Sequence, residues 1–400
     1  MNERWRHRVA GPLAGYVPGF RAYLSGQGFA PVSVRHRLSQ FRQISRWLEA
    51  EQVTLSEVTQ ACLERFVAVR VAEGRVAWTS KASITLPLEY LRTVGVVASA
   101  DEVSADSPAA EVLGSYRDYL LGERGLVGST VATYVRVARC FLAAKAGHGR
   151  LERLSAAEVT AFVVAECGRS STASAKKTVT ALGSLLRYLH VAGLTAPLTV
   201  AVPKVAGRRA SSLPQGLEAG QVARLLSGCD RHREMGRRDY AILMLLARLG
   251  LRAGEVAALT LDDIDWRHGE MVVRGKGDCH ERLPLPVDVG QAVAAYLRGG
   301  RRASPGCRAL FLRVSAPSGP LGPSGVGLLV ARSCRRAGVP VSGSHRLRHT
   351  AATQMLRHGA PLTEVAQVLR HRSLAVTATY AKVDRSALAE LAKPWPGGAA

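Results

Sequence analysis

Residues 344–380 read SHRLRHTAATQMLRHGAPLTEVAQVLRHRSLAVTATY. The stretch predicts three successive helices, at 345–358, 362–369 and 374 to about 381, with Ser344 placed to cap the first. Its polar residues are hard to explain by packing. His345 and His349 have the i, i+4 spacing of a zinc-binding helix. The residue beside His345 is Arg346 rather than the Glu of a metalloprotease, and two arginines between the ligands would repel a dication. His345 and Arg348, three apart, share a helix face and can approach one phosphate together. Leu369-Arg370-His371-Arg372-Ser373 follows, and Tyr380 stands nine residues beyond His371. Taken alone, Tyr380 reads as a packed structural tyrosine.

Upstream, residues 239–248 form a strongly apolar helical pattern ended by Gly250, and Arg252 opens a short helix over 253–259. An arginine at a helix start opposes the usual charge preference of that end, so it needs an anionic partner. Glu255, three residues on in Leu249-Gly250-Leu251-Arg252-Ala253-Gly254-Glu255, can supply one; a surface ion pair is the plain alternative. EMVVR (270–274) and residues 282–285 predict two strands flanking a turn at 275–278, with Lys276 at its tip. A hairpin-tip lysine is ordinarily just solvated. It is no P-loop lysine, since neither the earlier Gly nor a following Ser/Thr is present. A helix to about 297, a strand-like LFLRV (310–314) and a helix over 325–337 complete a mixed helix-and-strand region from 217 onward.

The first half has a different character. ADEVSADSPAA (100–110) and PKVAGRRASSLPQG (203–216) read as linkers that divide the chain into three. The two parts before 203 echo one another. Phe20-Arg21-Ala22-Tyr23-Leu24 matches Tyr116-Arg117-Asp118-Tyr119-Leu120, and Gly28-Phe29 with Ser33-Val34 matches Gly125-Leu126 with Thr130-Val131. Leu55-Ser56-Glu57-Val58-Thr59 echoes Leu154-Ser155 and Glu158-Val159-Thr160, and Tyr90-Leu91 with Gly95 matches Tyr188-Leu189 with Gly193. The order and near-constant offset predict a duplication of a unit of about four amphipathic helices.

Across 400 residues the formal charge is +23 and the pI near 10.5. Such an excess points to a polyanionic partner, because neutralising phosphates releases counterions. Arginine supplies all but eight of the 54 basic residues, which suits bidentate phosphate contacts and equally fits a GC-rich codon bias. Seven scattered cysteines (Cys62, Cys140, Cys167, Cys229, Cys279, Cys307, Cys334) contain no C-x-x-C pair, which argues for a reducing compartment rather than disulfides or a zinc knuckle. The basic start, MNERWRHRVAGPLAGYVPGF, is broken by Pro and Gly and makes a poor signal peptide. No apolar run approaches the ~18 residues of a membrane helix. A cytoplasmic protein with no membrane association is the expectation.

What decides among these readings is the combination. R-x-x-E, a lysine in a Gly-flanked turn, H-x-x-R, a further His and a Tyr nine residues later, in that order within residues 217–380, resemble the tyrosine recombinase (phage integrase) family. By position, the resemblance implies catalytic Arg252, Lys276, His345, Arg348 and His371, a nucleophile at Tyr380, and Glu255 in support of Arg252. The family often has Gly where this chain has Arg370, which leaves the catalytic groups intact but bears on local DNA contacts. The fold implied is two mostly α-helical SAM-like DNA-binding domains (1–100 and 108–203) before a mixed α+β catalytic domain with a small antiparallel sheet (217–400). The expected reaction passes through a 3′-phosphotyrosine and needs no cofactor, metal or ATP. Expected partners are double-stranded DNA recombination sites, held by a homo- or hetero-tetramer, alone or with sister recombinases, in the nucleoid of a bacterial cytoplasm. Lys176, Lys177, Arg187, Arg208 and Arg209 are DNA-contact candidates, and the tail after Tyr380 is similar to those of transposon-type recombinases. Two competitors share the scaffold: a type IB topoisomerase-like nicking activity and a non-catalytic DNA-binding accessory protein.

Overall fold

The computed structural model describes residues 10–97, 108–145, 151–168, 170–205, 216–275, 280–301 and 306–370, together with Ser373 and Thr377. The chain divides into two compact units, one drawn from Met1–Phe20 and Arg37–Ala210 and the other from Arg21–His36 and Ser211–Ala400.

The N-terminal half is helical: α1 (Val17–Gly26), α2 (Pro31–Ala50), α3 (Gln60–Ala72), α4 (Lys81–Thr93), α5 (Pro108–Leu121), α6 (Gly128–Lys145), α7 (Ala156–Cys167) and α8 (Thr172–Val191). Its helices bury one stripe each, at the i, i+3, i+4 spacing of an amphipathic helix: Leu63, Phe66 and Val67 on α3, and Val159, Phe162 and Val163 on α7. These two sets lie 96 residues apart. Each helix also has a side-chain cap: Thr59 Oγ1 accepts the Cys62 N–H ahead of α3, and Ser155 Oγ accepts the Glu158 N–H ahead of α7. Aromatic pairs recur as well. The rings of Phe20 and Tyr90 lie 5.2 Å apart at 41°, and those of Tyr116 and Tyr188 lie 5.2 Å apart at 43°.

The second unit contains α9 (Ala219–Ser227), α10 (Glu234–Arg248), α11 (Ala253–Ala258), β1 (Ile264–Asp265), β2 (Glu270–Arg274), β3 (His280–Pro284), α12 (Val287–Gly299), α13 (Pro323–Arg336), α14 (Ser344–Arg357) and α15 (Leu362–Leu369). Seven consecutive residues of α10, Ala241 to Ala247, are buried, because α12, α14 and α11 pack around it. Each large apolar side chain buried there is worth ~1.5–3 kcal/mol, which makes α10 the axis on which the surrounding helices are fixed. The strands form one antiparallel sheet in the order β1-β2-β3, with Met271 opposite Leu283 and Val273 opposite Glu281. Met271, Val273 and Leu283 face the core. Asp263, 4% exposed, ties the sheet to α11's exit: it pairs with Arg274 at 2.7 Å and accepts the Thr260 N–H at 2.7 Å. The strands therefore hold the two ends of the β2–β3 turn firmly; Lys276 within it lies outside the described residues.

Two expectations need correction, and one element was not expected. The LFLRV run at 310–314 is not a strand: it makes only isolated bridges, Leu312 with Pro320 and the neighbouring Ala309 with Thr260. Its apolar side chains are buried instead by packing, Phe311 stacking on Tyr296 at 5.4 Å, while Arg238 Nη1 donates to Leu312 O. The short β1 went unpredicted because two residues carry no periodicity. Ser344 does not cap α14; it is the helix's first residue, and Gly343 occupies the cap without a side-chain hydrogen bond. Among the described residues no helix is long and apolar enough to cross a membrane.

Candidate active site

Three segments far apart in sequence meet at the end of α10. The chain leaves α10 through Gly250, whose φ of +61° is a left-handed conformation that side chains other than glycine's resist. A Cβ there would lie 2.5 Å from Leu369 Cδ2, so the position also needs glycine for close approach to the end of α15. This turn delivers Arg252 to the cap of α11. Glu255, at the third position of α11, reaches back: its Oε2 accepts the Arg252 backbone N–H at 2.8 Å and its Oε1 accepts from Arg252 Nη1 at 2.5 Å. Glu255 is 4% exposed, so this is not the surface ion pair that the spacing alone allows. The Arg252 side chain, by contrast, is 45% exposed.

Arg348 comes from the other side, on α14. It is 1% exposed, with Nη1 donating to Gly250 O at 2.7 Å and Nη2 donating to Leu369 O. Its Nη1 stands 4.0 Å from Glu255 Oε2. Arg348 is thus pinned by the backbone of both neighbouring segments, and its guanidinium is buried where that of Arg252 is exposed.

His345, one turn before Arg348 on α14, is exposed. Desolvation, followed by the charges of Arg348 and Arg252, holds its imidazole below the ordinary histidine range. The Arg252 charge therefore reaches His345 from the cap of a different helix, α11. Its ring meets that of His349 edge-on, 4.3 Å apart. Desolvation, then His345 and Arg348, lower the His349 pKa to about 4. Both rings are neutral at pH 7, and a neutral imidazole offers one nitrogen as a proton acceptor.

Glu255 is ionised despite its burial. Desolvation pushes its carboxyl up, but the charge of Arg370, then the Arg252 N–H and guanidinium, outweigh that and leave it below the usual range. Arg370 was missed as a contributor here. It sits at the left-handed C-cap of α15 with φ 54° and ψ 52°, and its Nη2 donates to Glu255 Oε2 at 2.8 Å. Its side chain is 4% exposed and turned inward onto Glu255.

The structure therefore brings together Arg252, Glu255, His345 and Arg348. Lys276, His371, Tyr380, Arg208 and Arg209 lie outside the described residues. Lys176 and Lys177 are exposed on the first turns of α8, where they line a groove with Ser129, Thr130, Thr133 and Tyr134 of α6 and with Thr180. Arg187 is exposed two to three turns further along α8.

Comparison with known proteins shows the family. The model of the phage integrase family matches residues 215–386. The "Putative integrase/recombinase y4rA" of Sinorhizobium fredii is 41% identical over 396 residues, 97% of this chain and 96% of that one. Tyrosine recombinase XerD of Mycobacterium tuberculosis is 32% identical over 307 residues, 71% of this chain and 96% of its own. Among solved structures, XerH recombinase bound to a palindromic difH substrate superposes with a TM-score of 0.56 at 19% identity, over 74% of this chain and 87% of that one. A λ integrase (75–356) dimer bound to a COC′ core site gives 0.52 at 17% identity, over 68% and 94%. The mostly helical architecture with its small antiparallel sheet is that of these recombinases. This chain belongs to the tyrosine recombinase (phage integrase) family, the enzymes that cut and rejoin DNA at specific sites.

Proposed function

We propose that the chain is a transposon-type site-specific recombinase whose Tyr380 forms a 3′-phosphotyrosine with DNA. Tyr380 Oη attacks the scissile phosphorus, the P–O5′ bond breaks, and the 5′ oxygen leaves as a hydroxyl after taking a proton from Lys276. A free tyrosine has a pKa of ~10, so the attack needs a proton acceptor and nearby positive charge. The neutral imidazole of His345 takes that proton, assisted by His371. Arg252 and Arg348 stabilise charge growing on the non-bridging oxygens, Arg252 by direct contact and Arg348 from its buried position. Removing one such contact typically costs ~3–4 kcal/mol in transition-state stabilisation. The 5′-hydroxyl of a partner strand then reverses the chemistry. Because the phosphotyrosine link conserves the bond, the reaction requires neither ATP nor a metal ion.

The observation that carries this reading is the convergence of Arg252 and Arg348 on one buried carboxylate, with His345 one turn before Arg348 on the same helix. Residues 1–100 and 108–203 act as two SAM-like DNA-binding domains and 217–400 as the catalytic domain; the matching aromatic pairs and the 96-residue spacing of buried positions support the duplication. The middle and catalytic domains clamp the duplex, with Lys176, Lys177, Arg187, Arg208 and Arg209 on its phosphates. Four protomers, alone or with sister recombinases, assemble on paired sites in the bacterial cytoplasm. The test is a nicked suicide duplex bearing the ends of the encoding element. A covalent protein–DNA adduct is expected with the native chain and none with Tyr380→Phe; an adduct formed by that variant refutes the assignment.

A further inference from the structure

A non-glycine residue in the left-handed region costs ~1 kcal/mol or more and persists when its surroundings over-determine it. Arg370 is such a residue, with φ 54° and ψ 52° at the end of α15. A simple helix terminus does not require arginine, since glycine or asparagine closes a left-handed cap at lower cost. Arg370 does make one local bond, Nη1 to Val368 O at 2.7 Å. Its other amino group, however, is committed to Glu255, 115 residues away, at 2.8 Å. The same residue's carbonyl accepts from Arg252 Nη2 at 3.4 Å. Arg370 thus meets the Arg252–Glu255 pair from both ends.

We propose that Arg370 is a positioning residue that reserves Glu255 for Arg252; this rests on Arg252 binding the scissile phosphate. Glu255 carries one negative charge among three guanidiniums. Two of them, Arg348 and Arg370, have side chains 1% and 4% exposed, and the third, Arg252, is open to solvent. With Arg370 on Oε2, the carboxylate plane is fixed and Oε1 stays on Arg252 Nη1. Without Arg370, the nearest buried cation left facing Oε2 is Arg348, already only 4.0 Å from it. The carboxylate would turn toward that buried cation and release the exposed arginine that has to meet DNA. The direction of the Glu255 titration agrees, because Arg370 is the largest of the influences that keep it ionised.

The test uses the full chain and the suicide duplex, with DNA affinity at fixed salt, single-turnover adduct formation and thermal melting all measured. Arg370→Gly relaxes the backbone while removing the guanidinium; Arg370→Lys keeps the charge without the planar fork. Arg370→Gly is expected to bind DNA nearly as the native chain does and to form adduct about 10- to 100-fold more slowly, the range expected when a reacting group is misplaced by about an ångström. Arg370→Lys should recover part of that rate. An adduct rate for Arg370→Gly equal to the native one overturns the proposal. So does a loss that appears equally in DNA binding and melting and that lysine does not relieve, because that is the mark of a merely structural residue. Arg252→Ala separates the two levels of the argument. If it abolishes adduct formation while Arg370→Gly does not slow it, only the positioning role falls; if Arg252→Ala reacts normally, the assignment of Arg252 falls and the positioning role with it.

Discussion

Replacing Glu255 by glutamine tests the architecture of the site most directly. The side chain is 4% exposed and accepts from the Arg252 backbone at 2.8 Å, from Arg252 Nη1 at 2.5 Å and from Arg370 Nη2 at 2.8 Å. Glutamine keeps the shape, removes the charge and turns one acceptor into a donor facing donors. Removing one partner of a buried pair typically costs about 3–5 kcal/mol, since the remaining cations stay desolvated. For a unit of this size 1 kcal/mol moves the melting temperature by about 2–4 °C, so melting should fall by roughly 6–20 °C. Glu255 has its folded pKa held below its unfolded value, so its stabilisation is present above the unfolded carboxyl pKa of ~4.3 and is lost as pH falls through the folded value. Calorimetry of native and Glu255→Gln proteins should therefore show a gap at pH 7 that narrows below pH ~4.3. Adduct formation, measured below the variant's melting temperature, should drop by up to about 10²–10³-fold as Arg252 loses its anchor. A melting change under 2 °C, a gap that persists undiminished at the lowest pH, or native-rate cleavage would refute the reasoning.

Other consequences are separable from that one. Gly250→Ala must hold φ near +61° and bring a Cβ within 2.5 Å of Leu369 Cδ2; backbone strain of about 1–2 kcal/mol and overpacking of about 1–3 kcal/mol should lower the urea-unfolding free energy by about 2–5 kcal/mol, and an unchanged midpoint contradicts the close approach. His349, with a folded pKa of about 4 against ~6.5 unfolded, contributes stability that is complete above pH ~6.5 and is lost as pH falls toward 4. His349→Gln should flatten the stability–pH curve across that window; parallel curves for the two proteins argue against a desolvated neutral ring. Lys176→Ala with Lys177→Ala should weaken DNA binding and reduce the slope of log affinity against log salt by about 1.8, at ~0.9 per phosphate lost. An unaltered slope would place these lysines off the phosphate backbone.

The parts of the site that the sequence makes legible are those with local spacing. Arg252 and Glu255 are three residues apart at a helix start, and an arginine on the wrong end of a helix asks for that partner. Helices α10, α14 and α15 are likewise legible, because their apolar periodicity is set by the core they bury. The buried LFLRV run misleads for the matching reason: a short apolar segment reports burial without reporting what its backbone bonds to. Arg348 and Arg370 are illegible in a deeper sense. Their partners are the carbonyls of Gly250, Leu369 and Val368 and a carboxylate 115 residues from Arg370, and backbone acceptors leave no trace in side-chain identity. Yet a site for a phosphodiester transition state must keep several like charges close together while DNA is absent, and nearby guanidiniums repel. The sequence displays the arginines but not what restrains them. The structure meets that demand with one buried carboxylate, which bonds to Arg252 and Arg370, and three carbonyls that accept from Arg348 and Arg370, while the cluster as a whole stays positively charged. A second acid in the cluster would quiet the repulsion further, but it would also cancel the field on which phosphate binding depends; a single Glu255 is the arrangement that serves both needs.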